Sequence, residues 1–419
     1  MNSHTRPVKK ILILSYHYPP LNVIASARAQ AYAENLHKQG WEPTVLTFDW
    51  NENGEISNTK VPIIEEKQHH RVIRLGRGEK QSVNAGKLQT WLHYRRGVFD
   101  LNEGLLACRQ MAQSFLSKHL HQEKYEVVLG IYSPHFHLEQ CHWIHTNFGI
   151  PYVLDFRDLW DIRLTSRQYA PTFGERVRDY YIGKFWRKWS KDVLFLSTVS
   201  EPYSEYLELS CLHSCITITN GFGAKLFDDL QKQASDKFVI AHIGSFYPDQ
   251  KVETIFAAGS LLKDQTTAFE IRFVGVKNEE MRARIYKLAE THDLKDFVKI
   301  LPRISREEAL QETLDADLLY YPAWEGHQGV YSGKIFEYLA SGNPILVAPR
   351  DFGVVDELIE ETQSGASFED DPATICEWVM SVFTDQLDLE RKDHEIQIYS
   401  RESQVNHFAR LLHQALIRE

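Results

Sequence analysis

Short apolar runs alternate with longer mixed segments along this chain, and the whole alternation occurs twice. In the first half the runs lie at 9–18, 43–48, 71–75, 126–132, 151–156 and 193–200. In the second half they lie at 238–247, 270–276, 298–302, 317–323 and 344–348. Apolar runs without strict alternation are typical of strands that are buried on both faces. Strands separated by helical segments predict βαβ units with parallel pairing.

Helical periodicity fills the intervals between these strands. After the first strand, small or apolar residues at 25, 29, 32, 33 and 36 share one helical face, and Gly40 stands where a helix is expected to end. In the second half we expect helices at 251–263, 278–291, 305–314 and 333–341. The predicted fold class is α/β, with two Rossmann-like, doubly wound parallel-sheet domains facing a cleft. Open α/β sheets bind ligands at the carboxyl ends of their strands, so we expect the functional site there.

Charge is distributed unevenly between the two halves. Residues 1–200 hold 26 Lys and Arg against 19 Asp and Glu, a net +7, and the remainder holds 21 against 38, a net −17. A basic first half could attract an anionic acceptor or a phospholipid surface, although random drift of surface charge explains the asymmetry equally well. Nucleic-acid binding is disfavoured because no RRM, zinc-finger or arginine-rich pattern accompanies the charge.

The location of the protein follows from its apolar runs and its cysteines. No stretch approaches the roughly 18 to 20 apolar residues that span a bilayer. The run at 11–14 is short and is followed by no small-residue cleavage site, so it indicates a buried strand and not a secretory signal. Five scattered cysteines argue against a disulfide framework and indicate buried thiols. We therefore expect a cytoplasmic protein.

Several nucleotide and metal motifs are missing. No GxGxxG follows the first strand, which removes the dinucleotide fingerprint. The segment from Gly329 to Lys334 is one residue short of a P-loop, and Ile335 stands where Ser or Thr is required. No HExxH or paired-cysteine spacing occurs. We expect neither a metal nor a cofactor.

The strongest functional segment is YSGKIFEYLASGNPILVA, at 331–348. A turn of small residues opens a helix there, and the free backbone N–H groups at a helix start favour an anion. Lys334 adds a positive charge, and Glu337 lies three residues on, on the same face. A carboxylate beside a phosphate site is suited to accept hydrogen bonds from ribose hydroxyls. The alternative is an ordinary surface pair on a core helix.

This segment resembles the nucleotide-binding signature of family 4 retaining glycosyltransferases, which have the GT-B fold. Five further stretches resemble the same family in the same order, including members that assemble bacterial polysaccharides: 15–47, PYVLDFRDLW (151–160), LSTVSEP (196–202), Asn220-Gly221 and HIGSFYPDQK (242–251). The similarity is collinear over nearly the whole chain. It implies transfer of a sugar from a nucleotide-diphosphate sugar to an acceptor sugar or lipid-linked sugar, with retention of configuration.

The resemblance also implies roles for particular residues. Lys251 and Lys334 would neutralise the departing diphosphate, Gly244 and Ser245 would let the backbone approach it, and Glu337 would bind the ribose. Further donor-side candidates are Asn22, Arg28, Tyr331, Ser332 and Gly333. Further catalytic candidates, at the ends of strands, are His135, Arg157 and Asp158. A satisfied loop histidine is the alternative for His135 and for its neighbour His137.

The chain departs from the family pattern at three points. Gly329 stands at the family's first glutamate, with Glu325 nearby as a substitute of unsuitable spacing. The first loop has Asn22-Val23-Ile24 in place of glycines, and no arginine partner occurs near Ser245. Two alternatives to a glycosyltransferase therefore stay open, a nucleotide-sugar 2-epimerase of the same fold and a non-catalytic nucleotide-sugar-binding partner.

The domain boundaries and a membrane hypothesis complete the prediction. We expect an N-terminal acceptor-side domain at 1–223, a linker at 224–237 and a donor-binding domain at 238–399, with the C-terminal helix 400–419 returning to the first domain as in GT-B relatives. The aromatic and basic segment 176–191 could lie on an anionic membrane at the inner face, with Tyr181, Phe185 and Trp189 at helical spacing. Its alternative is a helix that packs on its own sheet.

Overall fold

The computed structural model describes residues 9–77, 87–166, 169–246, 250–324, 326–327 and 329–418. The chain divides into two compact units. The first comprises Met1–Leu164, Tyr169–Thr219 and Arg401–Glu419, and the second comprises Thr165–Gln168 and Asn220–Ser400.

The first unit is built on an eight-stranded sheet in the described part of the chain. Its elements begin with β1 (Lys9–Leu14), α1 (Ile24–Asn35), a 3-10 helix (Leu36–Gln39), β2 (Trp41–Phe48), β3 (Ile63–Glu66), β4 (Arg71–Leu75), α2 (Lys87–Arg95), α3 (Glu103–Gln122) and β5 (Val127–Tyr132). They continue with α4 (Phe136–Phe148), β6 (Tyr152–Phe156), a 3-10 helix (Ile162–Thr165), α5 (Phe173–Trp189), β7 (Leu196–Thr198), α6 (Glu201–Cys211) and β8 (Cys215–Thr217). The strand order is β3-β4-β2-β1-β5-β6-β7-β8. All neighbours pair in parallel except β3 and β4, which are antiparallel at the edge.

The start of the first unit follows from its sequence. The side chains of Ile11, Leu12, Ile13 and Leu14 are all fully buried, as the unbroken apolar run predicted for a strand covered on both faces. Gly40 follows the first helical segment in the left-handed region, with φ of +81°, which only glycine adopts without strain.

The second unit is built on a six-stranded parallel sheet in the described residues. Its elements are β9 (Phe238–Ile243), α7 (Glu253–Lys263), β10 (Phe269–Val274), α8 (Glu279–Thr291), β11 (Val298–Leu301), α9 (Arg306–Asp315), β12 (Leu318–Tyr321), α10 (Gly333–Ser341), β13 (Ile345–Val347), α11 (Val354–Thr362), β14 (Gly365–Ser367), α12 (Pro372–Phe383) and α13 (Asp393–Ile398). The strand order β11-β10-β9-β12-β13-β14 is the doubly wound order. The chain adds β10 and β11 on one side of β9 and then adds β12, β13 and β14 on the other side, so the order of strands shows a reversal between β9 and β12. That reversal leaves a crevice at the carboxyl ends of these two strands.

Two hydrophobic clusters cover the two faces of this second sheet. Along β12 the buried residues Leu318, Leu319, Tyr320 and Tyr321 alternate between the two clusters, as the two-residue period of a strand requires. Helices therefore cover both faces, and the fold class predicted from the sequence, two Rossmann-like parallel-sheet domains, is confirmed.

The last helix, α14 (Arg401–Arg418), packs within the first unit. Its Phe408 ring lies 4.8 Å from that of Tyr32 on α1 and 5.7 Å from that of Phe195. Val405 and Leu412 join the same core as strand β1.

The stretch predicted as a linker, 224–237, is assigned to the second unit. Lys232 donates to the carbonyl of Ala316 at 2.9 Å, and the backbone N–H of Gln233 donates to Asp315 at 2.7 Å. The stretch is polar because it lies on the surface of the second unit, where these hydrogen bonds fix it.

The apolar face of α5 points inward. Ile182, Trp186 and Trp189 are buried, and the half-buried Phe185 lies 5.8 Å from the ring of Phe99. Trp189 is thus unavailable to a membrane, which corrects part of the membrane hypothesis for 176–191. Contact through the basic face of that segment stays a prediction. Among the described residues no helix is both long enough and apolar enough to cross a bilayer.

Candidate functional site

The first turn of α10 presents an incompletely capped helix start at the crevice of the second unit. Ser332 occupies the N-cap position with extended backbone, and its side chain accepts no capping hydrogen bond. Its Oγ atom is buried and has no hydrogen-bond partner among the described residues. The backbone N–H groups of a first helical turn have no partner inside the helix. The start of α10 therefore combines a partial positive charge with an unsatisfied hydroxyl, which suits an anion with several oxygens.

Lys334 lies in this first turn, and its ammonium is already held by two acceptors. Nζ donates to the carbonyl of Ser245 at 2.6 Å and to Nε2 of His242 at 3.2 Å. It also lies 6.0 Å from the centre of the Phe246 ring. Burial lowers the pKa of Lys334 to about 7, against an opposing effect from the Glu337 carboxylate. At neutral pH the side chain is thus close to half protonated, and a bound anion would draw it to the charged form.

His242 fixes the position of that lysine. Its Nδ1 lies 3.1 Å from the carbonyl oxygen of Tyr320, and because a carbonyl can only accept, Nδ1 carries the proton and Nε2 is left as an acceptor. Burial, and then the neighbouring Lys334, hold the pKa of His242 well below its usual range. The Phe246 ring stacks on the imidazole at 4.0 Å. His242 is a neutral, oriented acceptor that the sequence did not single out, although a polar residue near the end of a buried strand was the available signal.

One glycine makes room for the lysine stem, and a second packs against the backbone of the first. Gly244 follows β9 with φ of +105°, and a Cβ atom there would lie 2.8 Å from Cε of Lys334. Gly275 follows β10 with φ of +83°, and its own Cβ would lie 3.4 Å from Cα of Gly244. The prediction that Gly244 permits close approach thus has a geometric basis, although the group that approaches in this structure is Lys334.

Glu337 lies one turn further along α10 and is paired with an arginine. Arg306, the first residue of α9, donates to both carboxylate oxygens of Glu337 at 2.8 and 2.6 Å. Glu337 is 19% exposed and Arg306 is 44% exposed. The bidentate pair fixes the orientation of the carboxylate and leaves two of its roughly four acceptor positions for other donors. Sequence reasoning missed Arg306, which is distant along the chain and carries no motif.

Three other predicted residues of the second unit lie near α7 and α10. Lys251 is exposed and lies two residues before α7. Tyr331 is half-buried, its ring lies 5.2 Å from that of Phe336, and burial raises its pKa well above the usual value. Gly333 is the first residue of α10. The structure therefore brings Lys334 together with Gly244 and Ser245, and it places Tyr331 largely in the core.

Arg28 has a structural role in the first unit, and its assignment to the donor stays a prediction. Its Nε and Nη2 atoms donate to the two carboxylate oxygens of Asp155, both at 2.7 Å, and Nη1 donates to the carbonyl of Thr219 at 3.2 Å. Ser197 donates to the same carboxylate at 2.7 Å. Arg28 is 6% exposed and Asp155 is fully buried. A buried, paired guanidinium of this kind joins α1 to the sheet.

His135 also serves the fold locally. It lies directly before α4, and Asp100 accepts hydrogen bonds from the backbone N–H groups of His135 and Phe136 at 3.3 and 3.1 Å. The Nδ1 atom of His135 lies 3.3 Å from the same carboxylate, while its Nε2 is buried without a partner among the described residues. The neighbouring His137 is buried, and burial lowers its pKa to about 4. The imidazole of His137 is therefore neutral and suited to donate or accept a hydrogen bond, not to carry charge.

Arg157 and Asp158 follow β6 and lie close to each other. Their nearest charged atoms are 3.7 Å apart, with 20% and 41% of the side chains exposed. The surrounding protein raises the pKa of Asp158, against the opposing effect of Arg157. His17, after β1, has a pKa lowered to about 4 by burial and then by Arg157. Asn22 is exposed in the loop before α1. Polar groups thus collect at the carboxyl ends of the strands in the first unit, where the order of strands reverses between β1 and β5.

Comparison with known proteins bears on the second unit above all. Residues 226–402 match the model of the family described as Glycosyl transferases group 1. This segment contains the strands, the glycine turn and the lysine helix described above. No curated protein matches the chain.

Solved structures resemble the chain over nearly its whole length. Sucrose-phosphate synthase (tll1590) from Thermosynechococcus elongatus aligns with 98% of this chain and 100% of its own, at a TM-score of 0.66 and 16% identity. A glycosyltransferase from Rickettsia africae ESF-5 aligns with 99% of this chain and 100% of its own, at 0.64 and 12% identity. Anabaena Alr3699/HepE in complex with UDP aligns with 97% of this chain and 100% of its own, at 0.60 and 13% identity. At these identities the likeness shows a shared fold.

Proposed function

We propose that this protein is a glycosyltransferase that moves a sugar from a nucleotide-diphosphate sugar to an acceptor. The observation that carries the proposal is the ammonium of Lys334, held at the start of α10 by Ser245 and His242. A diphosphate at this helix start would meet backbone N–H groups, the unsatisfied hydroxyl of Ser332 and a lysine that gains its full charge on contact. The match of residues 226–402 to glycosyl transferases group 1 supports the same conclusion.

In the proposed reaction the lysines stabilise the leaving group, which is the nucleoside diphosphate. The bond between the sugar carbon and the diphosphate oxygen breaks, a bond from the acceptor oxygen to that carbon forms, and the acceptor proton passes to the diphosphate. Negative charge accumulates on the diphosphate in the transition state, where a preorganised cation stabilises it. We assign this role to Lys334, assisted by Lys251, and we propose that the reaction proceeds with retention and needs no metal. Transfer in the presence of EDTA at the untreated rate would support the last point.

Glu337 is assigned to the ribose of the nucleotide. Arg306 orients its carboxylate, and the remaining acceptor positions suit two adjacent hydroxyl groups. The test compares binding of UDP with binding of 2′-deoxy-UDP. We expect the protein to prefer UDP and the Glu337→Gln variant to lose most of that preference. Equal discrimination by the two proteins would refute the role.

Transfer itself is tested with a panel of labelled nucleotide-diphosphate sugars. Nucleotide preference is first determined by thermal shift, since a ligand at 100 times its Kd stabilises a protein by about 2.7 kcal/mol. Lys334→Met should then lower turnover by roughly 10²- to 10³-fold, as loss of other preorganised charge stabilisers does. Lys295→Met, at an exposed lysine of the same unit, is the matched control. Release of nucleotide with a 2-epimerised sugar would instead indicate the epimerase. Binding of nucleotide without sugar release would indicate the non-catalytic partner, which Gly329 at the family's glutamate position suggests as an alternative.

The acceptor class is proposed from the sequence resemblance. Similarity to polysaccharide-assembly members favours an acceptor sugar or lipid-linked sugar in bacterial surface polysaccharide or glycoconjugate assembly, at the cytoplasmic face of the membrane. Transfer assays with membrane extracts and with soluble oligosaccharides as acceptors distinguish these classes. Glu325, considered as a substitute for the missing glutamate, lies outside the described residues.

A further inference from the structure

A basic pocket lies in the first unit, between α5 and α6, on the basic face of the segment 176–191. Its cavity volume is about 620 Å³, within the range of small-molecule sites. Four cations line it together with three aromatic rings: Lys184, Arg187, Lys188, Lys191, Trp160, Tyr180 and Tyr206. This composition calls for an explanation because packing alone does not require it.

The cations repel one another without local compensation. Lys184 and Lys188 are four residues apart on α5, and like charges at this spacing destabilise a helix; Lys191 lies two residues beyond the end of that helix. In the described part of the chain, no carboxylate forms an ion pair with any of the three lysines. The Nε atom of Arg187 donates to the carbonyl of Ser210 at 3.2 Å, which fixes the arginine without neutralising it.

The first half of the same helix shows the opposite pattern. There Arg178 lies 3.2 Å from Asp161, and Glu175 lies 2.7 Å from Arg163, so the charges alternate in sign and pair. Positive charge therefore accumulates only where α5 borders the pocket.

The single acidic residue that lines the pocket is already engaged. Asp179 accepts hydrogen bonds from Nε1 of Trp160, from the hydroxyl of Tyr169 and from Nε of Arg178, each at 2.9 Å. Its charge is thus countered by Arg178 and its oxygens are occupied. A negative ligand would meet the free lysine ammonium groups and little opposing charge.

The aromatic side of the pocket is rigid. The Trp160 ring packs edge-on against Trp186 at 4.7 Å and against Tyr206 at 5.6 Å, and its N–H is held by Asp179. An apolar ring surface beside several lysines matches a ligand with a carbon skeleton and a phosphate group. We propose that this pocket binds a phosphate ester, with the phosphate on the lysines of α5 and the organic part against Trp160. A soluble sugar phosphate and a phospholipid headgroup both present this chemistry.

The test uses the full chain and isothermal titration calorimetry with glucose 6-phosphate, with glucose as the uncharged comparison. The double variant Lys184→Gln/Lys188→Gln should bind glucose 6-phosphate at least ten-fold more weakly, because hydrogen bonds to charged groups contribute about ten-fold or more each. The matched control, Lys118→Gln/Lys124→Gln, removes the same charge at exposed positions of the same unit and should bind as the parent does. Circular dichroism establishes folding, and the single variant Lys191→Gln provides a second measurement.

Vesicles of phosphatidylglycerol and phosphatidylcholine in equal amounts distinguish the two sources of phosphate. Sedimentation with vesicles that depends on Lys184 and Lys188, and that glucose 6-phosphate displaces, would support the site with a headgroup as its ligand. The proposal is overturned if neither probe binds, if glucose binds as well as its phosphate, or if the control variant loses binding equally. UDP binding should be unchanged in the double variant, so failure here is distinguishable from failure of the proposed transfer.

Discussion

The pKa of Lys334 makes nucleotide binding depend on pH in a calculable way. In the unliganded protein burial lowers this pKa from 10.5 to about 7, so the protonated fraction falls from about a quarter at pH 7.5 to about 3% at pH 8.5. A bound diphosphate favours the ammonium form and raises the pKa. Binding therefore takes up a proton, and affinity is gained below the free pKa and lost as the pH rises above it.

The expected magnitude follows from these fractions. If the lysine is fully protonated in the complex, the Kd for UDP should rise about eight-fold between pH 7.5 and 8.5. The terminal phosphate of UDP, with its last ionisation near 6, is already charged over this range and adds little slope. His242 is neutral throughout because its pKa lies well below the usual range. The dependence is thus assigned to a single group.

Isothermal titration calorimetry in buffers of different ionisation enthalpy measures both the Kd and the proton uptake. Lys334→Met should bind UDP about 10- to 100-fold more weakly and show a flat profile, since the titrating group and a charged hydrogen-bond donor are both lost. Lys295→Met should retain the slope of the parent protein. A parent Kd that does not change between pH 7.5 and 8.5, or a slope that persists in Lys334→Met, would refute the reasoning.

Three further outcomes are expected from the contacts described above. Gly244→Ala should weaken UDP binding about ten-fold, because its Cβ would displace the lysine stem. The control Gly342→Ala, with φ of +87° and open space around its Cβ, should lower the free energy of unfolding in urea by only about 1 kcal/mol, the cost of backbone strain. Ser332→Ala should leave stability unchanged or raise it by up to about 1 kcal/mol, because its hydroxyl has no partner, whereas Ser305→Ala, which removes a working capping box on α9, should cost about 1 kcal/mol in the same assay. Arg28→Met should destabilise the first unit by about 3–5 kcal/mol in urea unfolding, because it leaves the buried carboxylate of Asp155 uncompensated. The Kd for UDP should be unchanged. Weaker UDP binding by the folded variant would instead support a donor-binding role for Arg28.

The fold was predictable where its signals are local. Buried parallel strands appear as unbroken apolar runs, and the runs at 71–75 and 298–302 coincide with β4 and β11 to within one residue. Strands without such a run were missed: β8 and β14 are three residues long and half-buried, and β3 is an exposed antiparallel edge. The helices α11, α12 and α13 were likewise left unassigned.

The candidate site was predictable in part. A lysine after small residues at the start of a helix indicated Lys334, because that pattern is local. Its acceptor on β9, His242, and the partner of Glu337, Arg306, lie 92 and 31 residues away along the chain and meet the site only through the topology of the sheet. The same limit explains Arg28, whose partner is 127 residues away. An arginine on a first helix looks the same in sequence whether it meets a ligand or a buried carboxylate.

The return of α14 to the first unit has a consequence for biosynthesis. Residues 220–400 separate the main body of that unit from the helix that completes its core, and ribosomes add about 5 to 20 residues each second. For on the order of 10 to 40 seconds, therefore, the apolar surface around Tyr32 has no helix covering it. The second unit can fold during this time. The half of the protein that is synthesised first is the one whose core is completed last, and its uncovered apolar surface is exposed to aggregation in the interval.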